Sequence, residues 1–578
     1  MAGKALDIHQ LVTPDTLGAS IAMKWQEWHS LRQNWLKEKK ELRNYVFATD
    51  TRTTSNSQLD WSNSTTVPKL TQLYDNLKAN YTSALFPNAN WMRWESEDRE
   101  SNTVQKRKVI QSYLDTKMRQ SDFRTTADKL VDDIVLYGNC FATVEWVEEL
   151  ADIADDQQVA KYIGPRMVRI SPYDIVFNPT AASFENTPKI IRSIITLGEL
   201  QRMIEAGGND EYKAIFDKML GNRREVAGST SIEKSDGYVA DGFSSIEHYY
   251  GSGYVELLTF HGDLYDSHTG ELMSNRKIVI ADRSYVISNE PIASWLGTSP
   301  IFHAGWRDRP DNLYAMGPLD NLVGMQYRID HLENLRADVF DQIAVPIYKI
   351  RGMVDDFEHR PGEKILVGDE GDVTAMVPDA TVLNADFQIR ELENRMEEMA
   401  GAPRMAMGIR TPGEKTAFEV QTLDNAANRI FQHKAEKIES QFFMKVMNGM
   451  LESARRNMNT SDVIRVLDDV TGVSLFSTIE KEDIRGNGLI RPVGASHFAE
   501  RARRIQNITN MMQMKADPTV APHISGKMVA KIISEELGED NLYGDNIAIK
   551  EQLETQKAAQ DAEADNVDHL QEQQEQGL

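Results

Sequence analysis

Apolar positions recur at helical spacing through the first 140 residues. Trp25, Trp28, Leu31 and Trp35 lie three and four apart, followed by Leu42, Tyr45 and Val46, and predict a helical first segment. Thr13-Pro14-Asp15 marks its start, with Thr13 as N-cap and Pro14 at the first helical position. Thr51 to Thr66 is rich in Ser, Thr and Asn and predicts a loop. A second helix opens at Pro68, carries Leu70, Leu73, Leu77 and Tyr81 on one face, and stops near Phe86-Pro87. Asn102 to Met118 and Thr126 to Tyr137 predict two more, the latter closed by Gly138.

From Cys140 to about Ser299 the pattern shortens. Phe141 to Val147, Met167 to Phe177, Tyr254 to Phe260 and Lys277 to Ile287 are runs rich in β-branched and aromatic residues that predict strands. One helical interruption is expected from Leu197 to about Leu220. This is an α+β texture, without the regular strand–helix alternation of a doubly wound sheet.

Two long helices dominate the second half. The first runs from about Leu319 to Ala344, with Leu319, Leu322, Met325, Ile329, Leu332, Val339 and Ile343 as its apolar stripe. It is a rod of roughly 35–40 Å at the α-helical rise. The second runs from about Lys415 to Arg456, interrupted by Gly449 alone, for roughly 60 Å. Its stripe is Phe418, Leu423, Ala427, Ile430, Ala435, Ile438, Phe442, Val446 and Met450. Rods of this length need long neighbours, either other elements of the chain or copies of the chain itself. Between them lie a small β-rich unit, Val345 to Leu383, a shorter helix, Asp386 to Ala400, and a loop, Gly401 to Glu414.

Composition narrows the class. The chain has 578 residues, 41% of them apolar, enough for several cores. No window approaches the roughly 20 apolar residues of a membrane span, and Met1 to Gln10 holds no signal-peptide core, so the expected setting is a cytoplasm without membrane attachment. The single cysteine, Cys140, rules out an intramolecular disulfide and reads as a buried structural thiol. Net charge is −24, and Ser534 to Leu578 carries 13 acidic residues against Lys550 and Lys557, a balance of −11. That tail predicts a solvated helix or a disordered extension. The acidic balance opposes tight non-specific DNA binding, which needs many Lys and Arg. It is compatible with a surface that DNA slides past.

Motifs for catalysis are weak. Gly408-Ile409-Arg410-Thr411-Pro412-Gly413-Glu414-Lys415-Thr416 approaches a phosphate-binding loop, but Glu414 displaces the lysine and adds a negative charge where phosphate would sit. The loop also follows a helix where a phosphate loop follows a strand. The twelve histidines form no His-Glu-x-x-His pair; His248 and His261 have no second histidine at ligand spacing, and His331 reads as a partly exposed residue of the first rod. Asp132 and Asp133 read as the solvated face of an amphipathic helix, and Gly251-Ser252-Gly253 as a hairpin turn. No metal, cofactor or catalytic residue is expected. Arg404, Met405, Met407, Arg410 and Lys415 cluster around the Gly401 to Glu414 loop. They form either an ordinary surface loop or one that projects toward a polyanion, with weak phosphate contacts and methionines as soft apolar bumpers.

Five phrases follow one another along the chain. They are Thr71-Gln72-Leu73-Tyr74-Asp75-Asn76-Leu77 through Leu85-Phe86-Pro87, Tyr137-Gly138-Asn139-Cys140-Phe141-Ala142-Thr143-Val144-Glu145, and Asp174-Ile175-Val176-Phe177-Asn178-Pro179-Thr180-Ala181. Tyr314-Ala315-Met316-Gly317-Pro318 and Thr416-Ala417-Phe418-Glu419-Val420 complete the series. In this order they resemble the portal (head-to-tail connector) proteins of short-tailed bacteriophages.

The resemblance implies a portal-like α+β subunit. Its parts would be a mixed wing (1–317), a first stem helix (318–344), a β-rich clip (345–385) and a second stem helix (386–400). A tunnel loop (401–414), a long wing helix with C-terminal wing (415–495) and a helical crown with the acidic tail (496–578) would follow. It further implies a dodecameric ring at one capsid vertex, made in the host cytoplasm and carried in the virion. Double-stranded DNA would pass through, touched non-specifically and transiently by Arg404, Met405, Met407, Arg410 and Lys415. The expected partners are the terminase large subunit, a tail adaptor, and the major capsid and scaffolding proteins. Rods packed head-to-tail around a ring would use Leu322, Ile329, Leu332 and Val339 between copies. The competing readings are a DNA-packaging ATPase or nuclease, and another virion structural protein.

Overall fold

The computed structural model describes residues 5–8, 14–47, 63, 65–86, 91–97, 104–153, 157–207, 210–222, 254–292, 300–354, 365–368, 371–378, 385–400, 431–459, 461–467 and 474–492. In chain order the elements begin with β1 (Ala5–Ile8), α1 (Pro14–Leu31), α2 (Gln33–Phe47), α3 (Lys69–Leu85), β2 (Met92–Ser96), α4 (Val104–Gln120) and α5 (Phe123–Tyr137). Next come β3 (Asn139–Ile153), β4 (Gln157–Ile170), β5 (Ile175–Phe177), β6 (Lys189–Thr196), α6 (Leu197–Gly207) and α7 (Asp210–Asn222). They are followed by β7 (Tyr254–Asp266), β8 (Glu271–Ala281), β9 (Tyr285–Pro291), β10 (Ile301–Gly305), β11 (Arg307–Arg309) and β12 (Asn312–Met316). The second half holds α8 (Val323–Ala344), β13 (Ile347–Arg351), β14 (Asp372–Met376), α9 (Asp386–Ala400), α10 (Met444–Asn457), β15 (Asp462–Leu467), β16 (Ser474–Ile479) and β17 (Gly488–Pro492).

The chain divides into two units, the first comprising Met1–Pro87, Lys117–Asn459 and Leu489–Pro492. Its largest sheet runs β5-β6-β7-β8-β9, and β1 adds to β7 in parallel. Because alternate strand residues face opposite sides, this sheet is covered twice. Leu258, Phe260, Ile278 and Ile280 meet Leu17, Ile21, Trp25 and Trp28 of α1. Their neighbours Leu257, Val279 and Ala281 meet Leu200 and Ile204 of α6 and Phe216 and Met219 of α7. A second sheet, β10-β3-β4, packs with α5 and α10.

The strand from Lys277 to Ile287 is two strands, not one. Asp282 and Arg283 take positive φ (46° and 59°), turning β8 into β9 without a glycine, and Arg283 is held by two hydrogen bonds to Glu256 (2.7 and 3.2 Å). Met167 to Phe177 likewise divides into β4 and β5.

The first helical segment also breaks, at Arg32, and Leu31 leaves the stripe with 61% of its surface exposed. At the break the Arg32 guanidinium is buried and donates to the carbonyls of Pro172 and Ile175, both at 2.7 Å, and to that of Tyr173, while its backbone N–H turns to His29 O at 3.3 Å. The acidic pair on α5 departs from expectation as well. Asp133 is buried against Arg169, and Asp132 is half-buried between Tyr74 and Lys78.

Other expectations hold. α3 buries Leu70, Leu73, Leu77 and Tyr81, Cys140 is buried, and Gly138 closes α5 at φ 70°. The long helix is described over 431–457, with Ala435, Ile438, Phe442, Val446 and Met450 all buried. A π turn at Glu439–Phe443 shifts the phase by one residue, so that both Phe442 and Phe443 face inward. Gly449 lets this helix approach β10, since a Cβ there would lie 3.0 Å from the Phe302 ring. Its residues before 431, the hairpin turn at 251–253 and His248 lie outside the described residues.

The second unit comprises Asn88–Thr116, Thr460–Gly488 and Val493–Leu578. It holds the β15–β16 antiparallel pair and β2, whose Met92 and Trp94 are buried while Arg93 and Glu95 are exposed. Gln111 of α4 donates to the Met92 carbonyl at 3.0 Å.

Candidate functional site: a helix pair carrying an uncovered β module

α8 is built on two stripes. Leu319, Leu322, Ile329 and Leu332 are buried within the chain itself, while Val339 is half-buried. Beside them Gln326, Asp330, Asn334 and Asp338 recur every four residues, so they share one face of the helix. Each binds the backbone of the extended segment leading into α3. Gln326 accepts from Leu70 N (3.1 Å) and donates to Val67 O (2.6 Å), and Asp330 accepts from Val67 N (2.9 Å). Asn334 accepts from Thr65 N (2.8 Å) and donates to Thr65 O (3.1 Å), and Asp338 accepts from Asn63 N (2.6 Å). An extended segment has no internal hydrogen bonds, so its buried amides must find partners elsewhere. This ladder supplies them and fixes α8 against α3.

Burial pushes the Asp330 carboxyl up to about 6. Its second oxygen, Oδ2, is buried without a partner. His331, next along, is half-buried and stacks on Tyr327 with ring centroids 6.4 Å apart.

α9 is anchored at both ends. Near its C-terminus Glu397 is buried and pairs with Lys69 of α3 at 2.6 Å, beside the buried Met396 and Ala400. At its start Asp386 pairs with Arg336 of α8, which also reaches Glu333 at 2.5 Å. A buried pair of this kind fixes orientation more than it adds stability.

Between the two helices the chain makes one antiparallel pair, β13 with β14, in register Ile347↔Met376 through Arg351↔Asp372, followed by a bridge Val354↔Val367. Two-stranded pairs are marginal in water without a third layer, and here no other described element pairs with them. Ile347 is 69% exposed and Met353 87%, and Ile350, Leu366, Met376 and Val377 are exposed too. Phe340 of α8 and Phe387 of α9 are exposed as well, the latter at 75%. Single exposed apolar side chains are ordinary, whereas several on one short module are unusual.

Arg404, Met405, Met407, Arg410 and Lys415, together with the Gly408 to Thr416 near-motif, lie outside the described residues. Among the described residues no group of three or more His, Cys, Asp or Glu is placed to hold a metal ion, and no helix is long and apolar enough to cross a membrane. His261 is half-buried, with its pKa lowered to about 3 first by the loss of water around it and then by Lys277 and Lys189.

Two of the sequence phrases meet in space. Asn139 donates to the Tyr137 and Ala315 carbonyls (both 3.0 Å) and accepts from Ala315 N (2.9 Å), so Tyr137-Gly138-Asn139 is tied to Tyr314-Ala315-Met316-Gly317 ahead of α8. Gly138 O also accepts from Trp306 N at 2.9 Å. The sequence expectation for this rod covers only its apolar stripe; the four-residue recurrence of Gln326, Asp330, Asn334 and Asp338 is the signal that marks the polar one.

No protein-family model matches the chain, and no curated protein matches it. Among solved structures, a chain from the neck of an empty gene transfer agent (GTA) particle computed with C6 symmetry is similar at 10% identity and a TM-score of 0.37, covering 81% of this chain and 90% of that one.

Proposed function

We propose that this chain is a portal subunit of a tailed bacteriophage, a non-enzymatic connector whose copies close a ring around double-stranded DNA. The observation that carries the reading is the β module at the end of two anchored helices, whose described apolar side chains are exposed. A surface of that kind is covered when a neighbouring copy presents the same elements, and head-to-tail contacts that close make rings. Burial of Leu322, Ile329 and Leu332 inside the chain moves the proposed contact between copies to Phe340, Phe387 and the β13–β14 module. The ordered series of portal-like phrases from Thr71 to Val420 supports the same reading.

On this reading twelve copies occupy one capsid vertex of the virion after assembly in the host cytoplasm. The β module is the docking platform for the terminase large subunit and later the tail adaptor. The loop carrying Arg404, Met405, Met407, Arg410 and Lys415 faces DNA. Major capsid and scaffolding proteins surround the ring. An acidic chain with few loop cations suits a channel, because each phosphate contact released during sliding costs free energy.

Single-particle imaging and native mass spectrometry of the recombinant full chain test this. Rings with an axial channel support it; a monomer or a closed shell at every concentration overturns it. Deleting Met405 to Arg410 should leave rings intact while impairing packaging or retention of DNA.

A further inference from the structure

A second feature, independent of ring formation, lies at the break between α1 and α2. A cavity of about 210 Å³ opens there, lined by Leu31, Arg32, Trp35, Arg309, Asn312 and Tyr314, among others. Two guanidinium groups share its wall, and neither has a carboxylate within ion-pair distance among the described residues. Arg32 is buried, and among the described residues its Nη atoms donate to the backbone carbonyls of residues 172, 173 and 175, with His29 Nδ1 at 3.3 Å, while its Nε has no hydrogen-bond partner. Arg309 Nε and Trp35 Nε1 are buried donors without hydrogen-bond partners. The Tyr314 hydroxyl lies against Arg32, and the one acidic residue lining the cavity, Glu38, is exposed.

A buried cation without a counter-charge is costly, and buried donors left unpaired add to the cost. Both are relieved by one kind of ligand. We propose that this cavity binds a small oxyanion, a phosphate or a carboxylate, with Arg309 and Arg32 supplying the charge and Trp35 Nε1 a directed donor. Guanidinium forks suit planar and tetrahedral oxyanions alike. The aromatic wall of Trp35 and Tyr314, with ring centroids 5.1 Å apart, limits the water that competes for these donors.

Isothermal titration of the full-length protein with sodium phosphate, against sodium chloride at equal ionic strength, tests this directly. Saturable binding is expected, weakened about tenfold by Arg309→Gln, which removes a charge-assisted donor, and about threefold by Trp35→Phe, which keeps an aromatic side chain but loses the N–H. Arg309→Gln should melt as the parent does in chloride, since Arg309 Nε has no partner to lose. A parallel titration with sodium acetate separates the sources: saturation by phosphate alone assigns the site to phosphate, and saturation by both admits carboxylates. No saturable heat with either salt, or equal affinity in the parent and both variants, overturns the proposal.

Discussion

The Asp133 carboxylate accepts two hydrogen bonds from the Arg169 guanidinium, one from Nε and one from Nη2, each 2.6 Å long. Asp133 is buried and Arg169 is only partly covered, so the pair joins α5 to β4 with its acidic end inside. Arg169→Met should destabilise the protein by about 3–5 kcal/mol, because it strands a buried charge. The double change Asp133→Leu with Arg169→Met should recover much of that loss. Urea unfolding of the four proteins checks both statements, and equal stability of the single and double variants would contradict them.

Asn334 holds Thr65 by both its N–H and its carbonyl. Asn334→Ala removes both bonds and leaves a backbone amide unpaired, at a cost of about 1–3 kcal/mol. Hydrogen exchange should accelerate at Thr65 and Val67 before it does in the middle of α3. Unchanged exchange there would mean that the ladder does not secure the segment.

Asp330 gives a pH dependence with a defined sign. Its folded-state pKa is raised to about 6 by burial, above the value of about 3.9 in an unfolded chain. The folded state therefore holds the proton more tightly, and this group's contribution to stability is greatest below pH 4 and declines as pH rises toward 6. Asp330→Asn, which keeps an acceptor for Val67 N, should gain stability relative to the parent over that window. A constant difference between the two from pH 4 to pH 7 would contradict the assignment.

Met353 and Phe387 touch little within their own chain, at 87% and 75% exposure. Met353→Glu and Phe387→Glu should each leave the stability of the isolated subunit within about 0.5 kcal/mol. Both should abolish or weaken ring assembly, read by sedimentation velocity at several concentrations. Rings as stable as the parent's would remove this surface from the contact between copies.

Gly138 stands at φ 70°, and a Cβ there would lie 2.3 Å from Gly317 N. Gly138→Ala should destabilise by about 2 kcal/mol or more, from the left-handed conformation together with the backbone clash. Thermal unfolding measures it, and a shift of under a degree would show that the strand and the turn before α8 can separate freely.

What the sequence determined by itself was local. Leu70, Leu73, Leu77 and Tyr81 placed α3, Gly138 ended α5, and Asp386 to Ala400 returned as α9 with the same bounds, because a helix is set by contacts three and four residues apart. The buried stripe from Ala435 to Met450 was legible for the same reason, although the extra π turn was not. Tertiary structure decided whatever depended on distant groups. Arg32, at the break in the first helix, is buried because carbonyls some 140 residues away take its donors. Asp133 is buried because Arg169 reaches it, and the polar stripe of α8 turns inward because a segment more than 250 residues earlier brings unpaired amides to it. A charged or polar side chain looks the same in sequence whether it meets water or a partner. Only the approach of the other chain segment, which restores the hydrogen bonds lost with water, makes burial the lower free energy.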